Sequence, residues 1–227
     1  MTELVALGSG SKKARERILV LRYDTRTHAV GLLRIVDARS LYATLHENTA
    51  FSGSELNLEG VVARDDDVLL FQRGNGEARD GLTPVNAVAR LSRAALDTYL
   101  AAEGATAPPA IRDVVHYDLG ESDGVPYTFT DATLSPRGTL VFLASAEDSS
   151  SAVTDGTVHG TLLGEIGADG SARVAPLVDE QGAPARVKAE GIVLDPHDAA
   201  RAFLVVDMDD PALPSELLEV VIDWGSG

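Results

Sequence analysis

The chain has 227 residues, a formal net charge of −16 and a sequence pI near 4.6. Nucleic acid and anionic membrane surfaces are therefore poor partners, because both select proteins rich in Lys and Arg. Hydrophobic residues make up 44% of the sequence, enough for a core, and the lack of cysteine excludes disulfides, thiol catalysis and zinc–thiolate sites. There is no apolar run of roughly 20 residues to span a membrane and no signal-peptide core. The sequence predicts a cytoplasmic protein, with an exported form open if a segment precedes Met1.

Short runs of Val, Leu and Ile alternate with Gly, Asp, Pro and Ser along the whole chain, a pattern typical of strands and turns. Three strands are predicted first, at 4–11, 18–23 and 29–37. A helix follows at 38–48 with Ser40 as its N-cap. A second helix is predicted at 91–104 and ends at Gly104. We expect both helices to serve packing only.

Three later segments resemble one another and indicate an internal repeat. They are residues 56–75, 127–148 and 187–210. Each begins with an acid and a small residue, continues as a short apolar strand A, turns at Asp, Pro or Gly, and continues as a more apolar strand B. The acid–small pairs are Glu59-Gly60, Asp131-Ala132 and Glu190-Gly191. A strand C follows at 86–92, 160–167 and 217–224, and a strand D at 112–120 and 172–180.

Four antiparallel strands per repeat form the blade of a β-propeller, so the predicted fold is an all-β propeller of about four blades with two short helical insertions. We expect one domain over residues 1–227, with blade units at roughly 1–50, 51–122, 123–182 and 183–227. The three opening strands correspond to B, C and D, so the first unit lacks A and the last lacks D. An unpaired sheet edge is a liability, which favours either an N-terminally shortened propeller or closure by a second copy in a homodimer.

The ordered motifs LVALGSGS, NLEG, LFQRGN, FTDATLSPRGTLVFLASAED and KAEGIVLD resemble a family of uncharacterised bacterial β-propellers. That family is distantly similar to the esterase-like phytase propellers, and the resemblance covers nearly the whole chain. It implies the propeller fold, and similarity to phytases implies calcium- or magnesium-assisted hydrolysis of a phosphoester, ester or lactone. Members of the family are longer at the N-terminus, so the resemblance also implies that one strand A is absent here.

Strand A of each propeller blade lines the central channel, so Glu59, Asp131 and Glu190 are predicted to converge near one axis. One interpretation is a calcium or magnesium site formed by these carboxylates with Asp207, because hard cations take several oxygen ligands. A second is structural, with each acid accepting a backbone N–H bond from the next blade while the small residue permits close approach. The third is general acid or base catalysis. The sequence does not choose between them.

Four more residues complete the predicted channel site. Lys188 lies two residues before the third acid, so both side chains leave the same face of a strand and form an ion pair or contact a ligand. Arg73 and Asn75 follow the first strand B, where they either cap a loop or bind an anionic ligand. Glu147 begins the acidic segment 146–160, whose spacing matches no EF-hand.

Two functional hypotheses follow. The first is a binding or interaction scaffold with an acidic central channel for an unidentified small molecule or protein. The second is the metal-dependent hydrolase implied by the phytase resemblance. The sequence contains no nucleophile elbow, no HExxH zinc motif and no phosphate-binding P-loop, which favours the scaffold.

Overall fold

A computed structural model describes residues 2–149, 156–210 and 212–223, which form an all-β protein with three short α-helices. The strands are β1 (Thr2–Leu7), β2 (Arg17–Asp24), β3 (Ala29–Asp37), β4 (Leu58–Arg64), β5 (Asp67–Gln72), β6 (Ala87–Ser92), β7 (Arg112–His116), β8 (Glu121–Ser122), β9 (Val125–Leu134), β10 (Leu140–Asp148), β11 (Thr157–Ile166), β12 (Ala172–Pro176), β13 (Ala189–Leu194), β14 (Arg201–Val206) and β15 (Glu216–Val221). The helices are α1 (Arg39–Glu47), α2 (Thr49–Ser52) and α3 (Arg93–Ala101).

The strands pair into four antiparallel sheets in chain order. Sheet I contains β1–β3, sheet II β4–β7, sheet III β8–β12 and sheet IV β13–β15. Every strand pairs with its neighbour in sequence, so each sheet is a meander. The all-β class and the predicted strand positions are confirmed, whereas the two-residue strand β8 was not predicted.

Hydrophobic cores lie between consecutive sheets, because the inner sheets carry apolar residues on both faces. In sheet III, β10 sends Phe142 toward sheet II and the adjacent Val141 and Leu143 toward sheet IV. Between sheets II and III, the rings of Phe71 and Phe142 both meet Phe129 edge to face, with centroids 5.3 and 5.0 Å apart. The strands β4, β9 and β13 consequently run side by side through the middle of the molecule.

Both predicted helices are confirmed, and both pack into the core between sheets I and II. The prediction that Ser40 caps the first helix is wrong, because α1 begins at Arg39 and its N-cap is Ala38. Ser40 lies inside the first turn. The Ser40 hydroxyl instead hydrogen-bonds the Tyr99 hydroxyl at 2.8 Å and ties α1 to α3. The second helix ends at Ala101, so the residue after its C-cap is Glu103, with φ at 51°, and not Gly104 as predicted. Gly104 follows with φ at 82° and donates its N–H to the Tyr99 carbonyl, which completes the helix end.

Each of the three middle strands β4, β9 and β13 contains a β-bulge, near the start of β4 and β13 and in the middle of β9. In β4, Leu58 pairs with Gln72 and Gly60 with Phe71, which leaves Glu59 as the extra residue. The same count identifies Glu190 as the extra residue of β13 and Thr130 as that of β9. The bulges therefore align Glu59 and Glu190 with Thr130, and not with Asp131.

Candidate functional site: a buried charge network beside a cleft

A buried arginine is the centre of a charge network that joins sheets II and III. Arg73 directly follows β5 and is only 5% exposed. Its guanidinium donates to the Glu147 carboxylate at the end of β10 and to Thr128 Oγ1 in β9, the latter at 3.2 Å. A second guanidinium nitrogen lies 3.7 Å from Glu59 Oε1 in β4. Burial of this cation is offset by two carboxylates, as a charge removed from water requires.

Lys188 extends the network to sheet IV. It precedes β13, is 8% exposed, and its ammonium donates to Asp209 Oδ1 at 2.7 Å. The same ammonium lies 4.0 Å from Glu147 Oε1, which also accepts the Gly156 N–H at 2.8 Å. Glu147 therefore lies between two cations, one from sheet II and one preceding the first strand of sheet IV.

The two bulge glutamates lie close enough to this network to influence each other's charge. Burial, opposed by Arg73 and reinforced by the nearby Glu190 carboxylate, raises the pKa of Glu59 to about 7. The pKa of Glu190 is also raised, chiefly by burial, with Arg73 and Lys188 acting against it. The Asn57 amide donates to Glu59 Oε1 at 2.8 Å and to Asn75 Oδ1 at 3.3 Å. The structure thus brings together six predicted residues: Glu59, Arg73, Asn75, Glu147, Lys188 and Glu190.

Asp131 lies outside this network and has a different role. Its Oδ2 accepts the backbone N–H of Ile192 in the neighbouring strand β13 at 2.8 Å. Burial raises the pKa of Asp131 to about 6, and this hydrogen bond opposes the rise. The bulge register explains the separation, because Asp131 aligns with Gly60 and Gly191 and faces the adjacent sheet. The structural interpretation of the acids therefore describes Asp131 well.

The predicted ligands of a calcium or magnesium site are not gathered into one group among the described residues. Asp207 is exposed, its Oδ1 accepts the Asp209 N–H at 3.0 Å, and its charge contributes to the raised pKa of Glu190. Within residues 2–149, 156–210 and 212–223, no group of three or more His, Asp or Glu side chains is arranged to hold a metal. Around Glu147, the positions a cation would need are taken by the guanidinium of Arg73 and the ammonium of Lys188. Residues 150–155 of the predicted acidic segment lie outside the described residues.

A cleft of about 680 Å³ opens beside the network, between sheets II and III. The lining residues with aromatic rings or carboxylates are His116, Tyr117, Asp118, Tyr127, Glu147 and Asp148. Asn86 holds its walls together, since its side chain accepts the Gly74 N–H at 3.0 Å and donates to the Tyr127 carbonyl at 2.8 Å. Of the lining, the sequence predicted only Asn75 and Glu147. The segment YDLGESDGVPY (117–127), with tyrosines flanking a Gly- and Asp-rich turn, is the signal that could have located the rest.

These features define an all-β protein of four antiparallel sheets with a polar network buried among its middle strands. The chain belongs to a family of unknown function (DUF6910), whose profile matches residues 1–211. A solved structure with which it aligns is a functionally unknown protein from Desulfotomaculum acetoxidans DSM 771, at 13% identity and a TM-score of 0.33. That alignment covers 96% of this chain and 56% of the other, so the chain spans little more than half of that protein. No curated protein matches the chain. Among the described residues, no helix has the length and apolar character needed to cross a membrane.

Proposed function

We propose that the chain is a non-enzymatic binding protein on a β-propeller scaffold, and that the cleft between sheets II and III receives a small organic cation. The propeller is supported by the order of the four meander sheets, by the cores between consecutive sheets, and by the adjacency of β4, β9 and β13. In such a scaffold the charge network serves mainly to join blades, because its carboxylates are already matched by Arg73 and Lys188.

The residues that line the cleft favour a cationic ligand. Its described lining combines the rings of Tyr117 and Tyr127 with the carboxylates of Asp118 and Asp148, and includes no Lys or Arg. The carboxylate of Glu147, which also lines the cleft, is already matched by Arg73 and Lys188. Aromatic faces and carboxylates both attract a cation, and an anion would meet repulsion from the same groups. The volume lies within the range of ordinary small-molecule sites. The overall charge of −16 favours a cationic ligand as well.

Titration calorimetry with choline tests the proposal, with 3,3-dimethyl-1-butanol as the neutral analogue of the same shape. We expect millimolar or tighter binding of choline and much weaker binding of the neutral alcohol, because charge is the only large difference between them. Equal binding of the two compounds, or no heat from either, would contradict a cation site.

Two charge-removing variants connect the binding to this cleft. Asp118→Asn keeps an acceptor for the Gly120 N–H, which Asp118 Oδ1 now accepts at 3.0 Å, and Asp148→Asn changes an exposed side chain at the rim. We expect each to weaken choline binding by about three- to tenfold, as the loss of one nearby charge predicts. Asp97→Asn is the matched control, because Asp97 is exposed on α3 and does not line the cleft. An equal loss with this control would place the ligand elsewhere.

A further inference from the structure

The outer face of sheet I is apolar although the described residues place nothing against it. In this sheet Ile18, Val20 and Val36 face sheet II, so the residues between them face away. The strand register brings Leu19 beside Ile35, and Leu21 between Leu4 and Leu32, on that outward face. Leu32 is 55% exposed and Ile35 52%. Sheet I therefore has two apolar faces, as the inner sheets have, and only one of them is covered.

The outer face of sheet IV has the same character. Ile192 and Leu204 face sheet III, and the alternate residues of the same strands face away. The register there aligns Val205 with Leu217, and Val193 with Phe203. Leu217 is 68% exposed, and Val193 and Val205 are also exposed. The apolar side chains of this face are bordered by the ion pair of Arg201 and Glu219, with the Arg201 guanidinium 5.1 Å from the Phe203 ring centre. An exposed apolar patch with a polar border is typical of an interface.

The total exposed area shows how much surface a partner could cover. The chain exposes 12081 Å². A compact monomer of 23.8 kDa is expected to expose about 9,900 Å², so the excess is roughly 2,200 Å². A standard interface covers about 800 Å² on each partner, so the excess is large enough for two such contacts per chain.

The chain segments that contain the two outer sheets differ in charge. Residues 1–37, which contain sheet I, have seven Lys and Arg against four Asp and Glu, a net charge of +3. The strands of sheet I carry three of each sign, so the positive excess lies on the connections between them, at Lys12, Lys13, Arg15 and Arg26. Residues 189–223, which contain sheet IV, have one Arg against nine Asp and Glu, a net charge of −8. In a chain of net charge −16, a positive first segment is unexpected. Its attraction to the last segment favours contact between sheets I and IV and disfavours contact between two copies of sheet IV.

We propose that two copies of the chain associate head to tail, with the outer face of sheet I in one copy packed on the outer face of sheet IV in the other. A two-fold axis then generates two identical contacts and closes a ring of eight sheets. Within a single copy sheets I and IV lie at opposite ends of the sheet order, so a second copy supplies what each lacks. The same contact covers both apolar faces and brings the positive first segment of one copy beside the negative last segment of the other.

Sedimentation velocity at micromolar concentration gives the first test. We expect a species of twice 23.8 kDa whose dissociation increases with salt, because part of the contact is electrostatic. A monomer at every concentration would overturn the proposal, and so would a series of larger assemblies, because head-to-tail contacts that fail to close build filaments.

Single substitutions and their mixture determine which faces meet. Leu32→Glu and Leu217→Glu each place a charge in both contacts of a head-to-tail pair, so each variant alone should be monomeric. A mixture of the two variants contains one pairing of undamaged faces, and we expect it to recover a dimer weaker than the native one. If only one variant dissociates the dimer, or if the mixture stays monomeric, the head-to-tail arrangement is wrong.

Val174→Glu is the matched control for these variants. Val174 lies on β12 with 44% of its surface exposed and belongs to neither outer sheet. This variant should remain a dimer. Because all three positions are exposed, circular dichroism should show native folding in each variant, and a variant that loses its fold is replaced by Ile35→Glu or Val205→Glu on the same face.

Discussion

The strands β4 and β9 contain the same bulge but fill it with different side chains. In β4 the extra residue is Glu59, which faces the buried charges, and Gly60 follows it. In β9 the extra residue is Thr130, and Asp131 follows it. A Cβ atom on Gly60 would lie 3.0 Å from the Ala132 nitrogen of the next sheet. Asp131 occupies the position of Gly60 one sheet further on, and there its side chain accepts the N–H of Ile192, the residue equivalent to Ala132.

This difference shows that the position after the bulge controls how closely neighbouring sheets approach. Glycine there lets sheet II lie directly against sheet III, whereas aspartate there separates sheet III from sheet IV and bridges the gap with a hydrogen bond. The position of the bulge itself determines which side chain enters the charge network. An acid at the bulge, such as Glu59, therefore joins the charge network, whereas an acid at the next position, such as Asp131, connects two sheets by a hydrogen bond.

The largest expected effect comes from removing the cation that serves both glutamates. Arg73→Met keeps most of the side-chain volume but leaves Glu147 and Glu59 without their guanidinium partner. Breaking a buried ion pair on one side costs about 3–5 kcal/mol, so we expect a loss of that size in the free energy of unfolding. Urea denaturation measures it.

Arg79→Met is the control for the arginine substitution. Arg79 pairs with Glu55, but 57% of its side chain is exposed, and surface pairs contribute about 0–1 kcal/mol. If Arg73→Met costs no more than Arg79→Met, the buried network does not hold the sheets together.

Substitution of Gly60 tests the close approach of sheets II and III, and Gly191 is the matched control because its strand partner Val205 lies on the outward face of sheet IV. A Cβ on Gly60 meets the Ala132 nitrogen at 3.0 Å and Phe71 Cβ at 3.1 Å, which requires the sheets to move apart. A Cβ on Gly191 would make only ordinary van der Waals contacts, and the nearest atom would be Val205 Cβ at 3.6 Å. We expect Gly60→Ala to lower the melting temperature through a loss of about 1–3 kcal/mol, and Gly191→Ala to have little effect. Equal effects of the two changes would contradict the close approach of sheet III to sheet II at Gly60.

Removing the connecting carboxylate should have a smaller effect. Asp131→Ala leaves the buried Ile192 N–H without its acceptor, which we expect to cost about 1–2 kcal/mol. Asp131→Asn retains an acceptor oxygen and should lose less. Thr130→Val is the control at the preceding residue, because Thr130 Oγ1 is buried and has no hydrogen-bond partner among the described residues. Urea denaturation of the three variants would contradict the connector role if Asp131→Ala matched Thr130→Val.

The sequence predicted the strands, both longer helices and the residues of the network, because these depend on local alternation and on acids that recur in similar surroundings. It aligned Asp131 with Glu59, an error of one residue. A bulge adds one residue to one strand and leaves no mark in the sequence, so only the pairing register could reveal that Thr130 is the equivalent residue. The cleft was not predicted for a related reason. Its walls come from segments of sheets II and III that are far apart in sequence and meet only in the folded protein.

The smallest expected effect is a pH dependence that separates the bulge glutamate from the connecting aspartate. The folded-state pKa of Glu59 is raised to about 7, above its value in an unfolded chain, so the folded protein binds the extra proton. Stability from this group is therefore full below its unfolded-state pKa and is lost as pH rises through about 7, whereas for Asp131 the loss is complete once pH has risen through about 6. Between about pH 6 and pH 8 the Glu59 contribution should lower the free energy of unfolding by about 1 kcal/mol.

Glu59→Gln keeps an oxygen for the Asn57 amide and removes the titration, so its unfolding free energy should vary less with pH over this range. Asp131→Asn should leave that upper range nearly unchanged and flatten the curve below it. Urea titrations of the native protein and the two variants at several pH values measure these slopes. If Glu59→Gln follows the native curve throughout, Glu59 is not the group that binds the proton, and its place beside Arg73 and Glu190 has no electrostatic consequence for folding.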